Sequence, residues 1–264
     1  MSEERVLVER DGAVLRVTMN RPDKRNGLDR GLIEGLVAAG EAAIADKGAR
    51  CVVLAGSGPA FCAGLDFQSF MASGPAAREA LLRRDGEANV AQRCAWIWQE
   101  VPVPVIAALQ GAVFGGGLQI ALGADLRYAG PDAELSVMEM RWGLVPDMAI
   151  TQTARGLLPI DVLKELTFTG RRVGADEAKA LGLVTRVCQD PLAEALATAR
   201  HIAAQSPDAV RRAKRLLNEA PGLTRAAAFA LETELQLELL GSKNQLEAVR
   251  ANFTKSAPRF TDPE

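Results

Sequence analysis

Three consecutive glycines, residues 115–117, run without a break into LQIALGAD, an apolar stretch with helical spacing and no proline. Leu118, Ile120, Ala121 and Leu122 predict a short buried helix with Gly116 and Gly117 at its N-terminus. The first N–H groups of a helix have no acceptor within it and carry the positive end of the helix dipole. Glycine lets the backbone there take turns that other residues avoid and lets a ligand come close. Two readings stay open on this stretch. One is an oxyanion hole, where a fixed N–H lowers a barrier by about 3–4 kcal/mol. The other is a set of glycines that packs a helix tightly against a strand.

The chain on either side has an α/β order. Residues 5–10 and 13–19 alternate apolar and polar around Asp11 and Gly12, which predicts a hairpin. NRPDKRNGLD (20–29) is a loop ending in Asp29, a cap for a helix whose apolar face is Leu32, Ile33, Leu36 and Val37, continuing to Ala43 or Ile44. CVVLAG (51–56) reads as a strand buried on both faces, so a right-handed β/α crossover is expected. The loop SGPAFCAGLDF (57–67) follows, then a long helix over 76–100 and a second buried strand over 105–109 that leads into the glycines. DLRYAG (125–130) and ELSV (134–137) predict two more strands, and LVTRVC (183–188) an edge strand. Otherwise the chain past Glu139 is helical, with helices over 191–205, 207–219, 223–240 and 242–254.

Composition removes several kinds of chemistry. A net charge of −2 opposes general binding to nucleic acid or an anionic membrane. No apolar run reaches about 18 residues and MSEERVLVER is too charged for a signal peptide, which predicts a cytoplasmic protein. His201 is the single histidine and lies in a helix-like stretch, so a Ser-His-Asp triad is disfavoured and a multi-histidine metal site is excluded. Cys51, Cys62, Cys94 and Cys188 form no CxxC pair and read as free thiols. FGGGLQ lacks the dinucleotide fingerprint, so no nicotinamide site is expected. Carboxylates and backbone dipoles are left to carry the chemistry.

The loop AFCAGLD (60–66) ends at Asp66, a cap for the helix DFQSFM, and offers backbone N–H groups around Ala63, Gly64 and Leu65. Two such loops at the ends of neighbouring strands can place two donors on one carbonyl oxygen, at the strand ends where open α/β sheets bind ligands. NRPDKRN, VVLAGSGPAFCAGLD, PVIAALQGAVFGGGLQIALGADLRYA and MEMRWGLVPDMAITQ, in this order and spacing, resemble the crotonase superfamily, the enoyl-CoA hydratase/isomerase family.

The resemblance covers the chain from about residue 5 to its end. It implies a crotonase-like ββα spiral, an acyl-CoA-binding core over 1–195, and a helical C-terminal trimerisation or lid region over 196–264. It implies an acyl-CoA substrate, no prosthetic group, and a homotrimer or a hexamer built as a dimer of trimers. The N–H groups of Leu65 and Gly116 would grip the thioester oxygen. Ala63 would meet the adenine, with Ala60, Phe61 and Gly64 beside it, and Arg25 and Lys255 would reach the CoA phosphates.

Which acids stand at the thioester then decides the reaction. Hydratases of the family carry a glutamate where this chain has Gln119, three residues past Gly116, and a second where it has Glu139, twenty further on. An amide cannot accept a proton usefully, so activation of water from two sides loses a partner. Asp147, eight residues after Glu139, stands where hydratases have glycine, as in the dienoyl-CoA isomerase branch, although that branch keeps an acid at the Gln119 position. The resemblance therefore implies a double-bond shift in an enoyl- or dienoyl-CoA, with enoyl-CoA hydration and a CoA-binding scaffold without turnover as alternatives. Residue by residue, plainer roles stay open: Glu139 as a helix-start acid, Asp147 as an N-cap, Gln119 as a polar orienting group, and Arg25 and Lys255 as exposed cations.

Overall fold

A computed structural model describes residues 4–84 and 86–263, apart from the side chains of residues 77 and 78. The chain begins with β1 (Val6–Asp11) and β2 (Val14–Met19), an antiparallel hairpin in register from Val6 opposite Met19 to Asp11 opposite Val14. Asp29 then caps α1 (Arg30–Ala45), accepting from the Leu32 N–H at 2.8 Å, and the chain enters β3 (Cys51–Gly56), parallel to β2. Next come α2 (Phe67–Ala72), α3 (Gly74–Leu82) and α4 (Val90–Glu100), followed by β4 (Val105–Leu109), β5 (Ala112–Phe114) and α5 (Gly116–Gly123). The second half contains β6 (Leu126–Ala129), β7 (Glu134–Ser136), α6 (Ile150–Thr153), α7 (Ile160–Thr169), β8 (Val173–Gly174), α8 (Ala175–Leu181) and β9 (Arg186–Val187). Four helices end the chain: α9 (Pro191–Ala203), α10 (Pro207–Glu219), α11 (Arg225–Leu239) and α12 (Lys243–Thr254).

The large sheet has the order β1-β2-β3-β4-β6-β9 and the small one β5-β7-β8. Each turn of chain visits the large sheet and then the small one: β4 gives way to β5 and β6 to β7. The first turn does the same with a single residue, because Cys62, past β3, bridges in parallel to Val113 of β5. The result is a spiral of strand pairs whose loops stack on one another.

Successive residues of a strand face opposite sides, and both sides of the large sheet are apolar. Val52, Leu54 and Ala107 join the core formed with α1, α4 and α5, while Val53, Ile106 and Ala108 join a second core closed by Ala195 and Ala199 of α9. The boundary expected between residues 195 and 196 falls inside this helix.

The structure departs from the sequence reading at four places. The helix expected over 76–100 is two helices, because Gly86 takes a φ of 75° and Asn89 restarts the chain with a reciprocal capping box to Gln92. Strands β5 and β8, three and two residues long, carry too little alternation to register as strands. The edge strand expected over 183–188 shrinks to Arg186 and Val187. The helix expected after Asp147 is the single turn α6, capped by Ala149 at a φ of 67°, so Asp147 is not its N-cap.

Lys214 ties α10 to the sheet. Only 8% exposed, its ammonium lies 2.8 Å from Asp125 and donates to the carbonyls of Trp98 at 2.9 Å and Val103 at 3.1 Å. Asp125 also accepts from the Val105 N–H at the start of β4. Lys214→Ala leaves a carboxylate and two buried carbonyls short of a partner, so it should cost about 3–5 kcal/mol. A lowered urea midpoint at fixed protein concentration checks this, and a shift under about 1 kcal/mol would show that α10 is held by its apolar contacts alone.

Candidate active site

The loop after β3 and the glycine turn before α5 meet at the Cys62–Val113 bridge. Cys62 donates its N–H to the Ala112 carbonyl at 3.0 Å and accepts from the Phe114 N–H at 3.0 Å. Gly117 has to be glycine for this approach, since a Cβ there would lie 2.5 Å from the Cys62 carbonyl oxygen. Gly115 turns the chain into α5 with φ 52° and ψ −122°, a conformation that side chains strongly disfavour.

Each loop presents one peptide whose carbonyl is already bonded. The Gly64 carbonyl accepts from the Leu28 N–H at 2.8 Å, and the Gly115 carbonyl accepts from the Gln119 N–H at 3.1 Å. In a trans peptide the N–H points opposite to the C=O. The N–H groups of Leu65 and Gly116 therefore face away from those bonds, and neither has an acceptor among the described residues. Leu65 and Gly116 both line a cavity of about 250 Å³.

Leu28, Ile33, Phe70, Leu81, Met138 and Met148 line the same cavity, and Glu139 and Asp147 are its two acids. Phe67 and Trp142 also reach it, with ring centroids 4.2 Å apart. Glu139 opens a short 3-10 turn that follows β7, within 3.2 Å of where a Cβ on Gly115 would lie. Its Oε1 accepts from the Gln119 side-chain amide at 2.6 Å, whereas Oε2 is buried with no partner among the described residues. Gln119 is held at its other end too, because its oxygen accepts from the Met148 N–H at 2.8 Å. Sequence reasoning passed over Met148 as a hydrogen-bond donor and Phe67 as a cavity wall. A backbone N–H leaves no mark in residue type, while Phe67 directly after the capping Asp66 was a readable signal.

Burial pushes the Glu139 carboxyl above the ordinary range, and the negative charge of Asp147 raises it further against the Gln119 amide. Burial raises Asp147 as well, although its side chain is open to the cavity. Both acids thus hold protons to higher pH than a surface carboxylate does.

The remaining expected residues divide. Ala63 and Gly64 line the cavity. Arg25 and Ala60 line a separate groove of about 300 Å³, with Phe114, Asp132, Glu134 and Arg172. The Arg172 guanidinium covers the Phe114 ring at 4.8 Å and pairs with Glu134 at 3.2 Å. The ring of Phe61 is fully buried in the core, so only its backbone is near this loop. Lys255 follows α12 and lines neither the cavity nor the groove. The four cysteines are free thiols, and no group of three or more His, Cys, Asp or Glu placed to hold a metal ion is found among the described residues. No helix among them is long and apolar enough to cross a membrane.

This spiral, with its stacked loops above a cavity, is the crotonase fold. The enoyl-CoA hydratase from Bacillus anthracis superposes on it with a TM-score of 0.89 at 29% identity, over 97% of this chain and 98% of that one. Residues 9–263 match the family described as Enoyl-CoA hydratase/isomerase. The chain is 33% identical over 257 residues to enoyl-CoA hydratase EchA19 of Mycobacterium tuberculosis, covering 96% of this chain and 95% of that protein. It is 30% identical over 268 residues to human mitochondrial methylglutaconyl-CoA hydratase, covering 97% and 76% respectively. The chain belongs to the enoyl-CoA hydratase/isomerase family.

The raised Glu139 carboxyl gives a signed prediction. Between the ordinary value of about 4.3 and the raised one, the folded state binds more protons than the unfolded chain, so stability falls as pH rises through that window and stays lowered above it. Glu139→Gln removes the buried charge and keeps an acceptor for the Gln119 amide. Its thermal midpoint should exceed that of the wild type at pH 8, and the gap should narrow toward pH 4. Calorimetry at both values checks this, and a gap independent of pH would mean that the carboxylate is not desolvated.

Proposed function

We propose that the protein shifts a double bond in an acyl-CoA thioester by enolate chemistry, with Glu139 and Asp147 handling the proton. The observation that carries this reading is the state of Gln119: both ends of its amide are bonded, to Glu139 and to the Met148 N–H, so it holds a base in place and cannot act as one. Glu139 keeps one unpartnered oxygen, and Asp147 is the other acid on the cavity wall.

In this reading the N–H groups of Leu65 and Gly116 take the thioester oxygen, where negative charge develops as the bond between C2 and its hydrogen breaks. Glu139 accepts that proton, and the electron pair enters the enolate. A proton then returns at C4 from Asp147, the double bond re-forms between C2 and C3, and no water is consumed. Burial raises both carboxyls and the charge of Asp147 raises Glu139 further, and the cycle closes when Glu139 releases to solvent the proton it took and Asp147 takes one up. Coenzyme A arrives with the substrate and no prosthetic group takes part. In this reading Arg25 and Arg172, which share the groove with Ala60, meet its phosphates, and Lys255 is an additional phosphate contact.

We also propose a cytoplasmic homotrimer or hexamer. Such an assembly accounts for the apolar side chains exposed on the last two helices, among them Phe229 at 59%, Leu237 at 65% and Phe253 at 85%.

Hydration is the second reading, favoured by the names of the relatives, which are enoyl-CoA hydratases. Purified protein mixed separately with 3-enoyl-, dienoyl- and 2-enoyl-CoA, followed by absorbance, tests the two. Conjugation of the 3-enoyl or dienoyl substrate should outrun hydration of 2-enoyl-CoA, and Gln119→Glu, which restores a second carboxylate 2.6 Å from Glu139, should raise hydration at least about tenfold. Faster hydration than isomerisation, undiminished by Gln119→Ala, would make the protein a hydratase. Tight CoA binding with no exchange of the C2 hydrogen in deuterated water would make it a scaffold.

A further inference from the structure

Arg21, in NRPDKRN, has no place in the chemistry above, yet it is 7% exposed and sits between two carboxylates. Its Nη1 donates to the Gly27 carbonyl at 2.8 Å and meets Asp66 Oδ2 at 2.7 Å, while Nε lies 3.4 Å from Asp29 Oδ2. Those partners surround one feature. Gly27 and Asp29 flank Leu28, Asp66 follows Leu65, and Leu28 pairs with Leu65 in an isolated parallel bridge. That bridge consists of the Leu28 N–H on the Gly64 carbonyl at 2.8 Å and the Asp66 N–H on the Leu28 carbonyl at 3.0 Å. The first of these bonds sets the plane of the peptide that carries the Leu65 N–H.

The clamp is itself immobilised. The Arg21 N–H donates to Asn26 Oδ1 at 2.8 Å and its carbonyl accepts from the Asn26 N–H at 2.9 Å, with Asn26 fully buried. Asp66 also accepts from the Ser69 N–H at 3.1 Å and the Ser69 hydroxyl at 2.7 Å, which caps α2. Burial works against its charge, but the Ser69 bonds and the Arg21 guanidinium outweigh it and hold the carboxyl at about 2. Asp66 is therefore ionised at neutral pH. A guanidinium is suited to this post because its planar fork reaches several acceptors at fixed angles, whereas an ammonium acts as a point charge. Removing Arg21 alone leaves the Asp66 carboxylate without its counter-charge, so stability falls as well, and the readouts that separate aiming from stability are kcat and the spectrum of a bound ligand.

We propose that Arg21 is a positioning residue for the oxyanion: by tying Gly27 and Asp29 to Asp66, it fixes the Leu28–Leu65 bridge and so the direction of the Leu65 N–H. The proposal rests on the function argued above, in which that N–H receives the thioester oxygen. A misaimed donor leaves the ligand bound and the transition state poorly held, so kcat suffers and affinity does not.

Arg21→Gln should lower kcat about 100-fold and Arg21→Lys about 10-fold, while the Kd of coenzyme A moves by less than about threefold. A second readout follows the donor directly. In a Glu139→Gln background, which cannot consume it, bound hexadienoyl-CoA has an ultraviolet band that moves red when its carbonyl is polarised. Adding Arg21→Gln should shrink that shift, and adding Lys214→Met, a lesion at the opposite end of β4 from the glycine turn, should leave it intact. Should Arg21→Gln fail to fold, Asp66→Asn cuts the same clamp from the other end and should shrink the shift likewise. An undiminished shift and kcat in the soluble clamp variant would overturn the proposal. Absence of both red shift and turnover in proteins with an intact Arg21 would instead overturn the proposed function, so the two failures are distinct.

Discussion

The Gly64 carbonyl accepts from the Leu28 N–H, and a planar trans peptide keeps its N–H on the opposite edge, so this one bond decides where the Leu65 N–H points. The same logic runs through the second loop, where the first turn of α5 takes the Gly115 carbonyl and leaves the Gly116 N–H facing the cavity. Neither donor is aimed by its own side chain. Both are aimed from behind, the first by Leu28, a distant segment that the spiral brings within reach, and the second by Gln119 in the first turn of the helix it opens. Cys62 joining β5 keeps the two donors at a fixed separation, and Gly117 permits that joint because nothing larger than hydrogen fits against the Cys62 carbonyl.

A fixed pair of donors has value only where water cannot compete, and here the fold supplies the dry wall. Leu28, Ile33, Met138 and Met148 surround the donors with apolar surface, and the same surface desolvates Glu139. Burying a carboxylate is unfavourable, and backbone N–H groups of Glu139 and Met138 together with the Gln119 amide offset only part of that. The other oxygen, Oε2, has no partner among the described residues, a local defect in stability of the kind that marks sites of chemistry.

Much of this was legible in residue order. The strands over 51–56 and 105–109 are unbroken apolar runs, the C-terminal helices are separated by Ser206-Pro207, Pro221-Gly222 and Gly241-Ser242, and Asp29 and Asp66 cap the helices that follow them. The glycine run carries both its turn and its helix in composition alone. What stayed hidden depends on distant pairing. Strands β5 and β8 are too short for a period and exist only because the spiral stacks them beside β7. The α3–α4 break was masked by helix-forming residues on both sides, so Gly86 and the Asn89 cap decided it. At the site, Glu139 and Asp147 could be named from spacing and family resemblance, but the lock between Gln119, Glu139 and the Met148 N–H needs three separated segments to meet.

That lock gives the replacement of an acid by an amide at position 119 a physical meaning. Two carboxylates 2.6 Å apart would have to share a proton, and the charge on one would oppose ionisation of the other. An amide at the same place donates a hydrogen bond, so it favours the charged form of Glu139 and orients it through a backbone anchor. The second acid on the cavity wall is Asp147, whose charge raises Glu139, while the Glu139 Oε2 has no partner among the described residues. In the proposed function, an acid at position 147 in place of one at position 119 changes which atom of a bound acyl chain the second carboxyl reaches. Under the proposed double-bond shift, the spiral, the donors and the cavity remain those of the family, and the second acid is what differs.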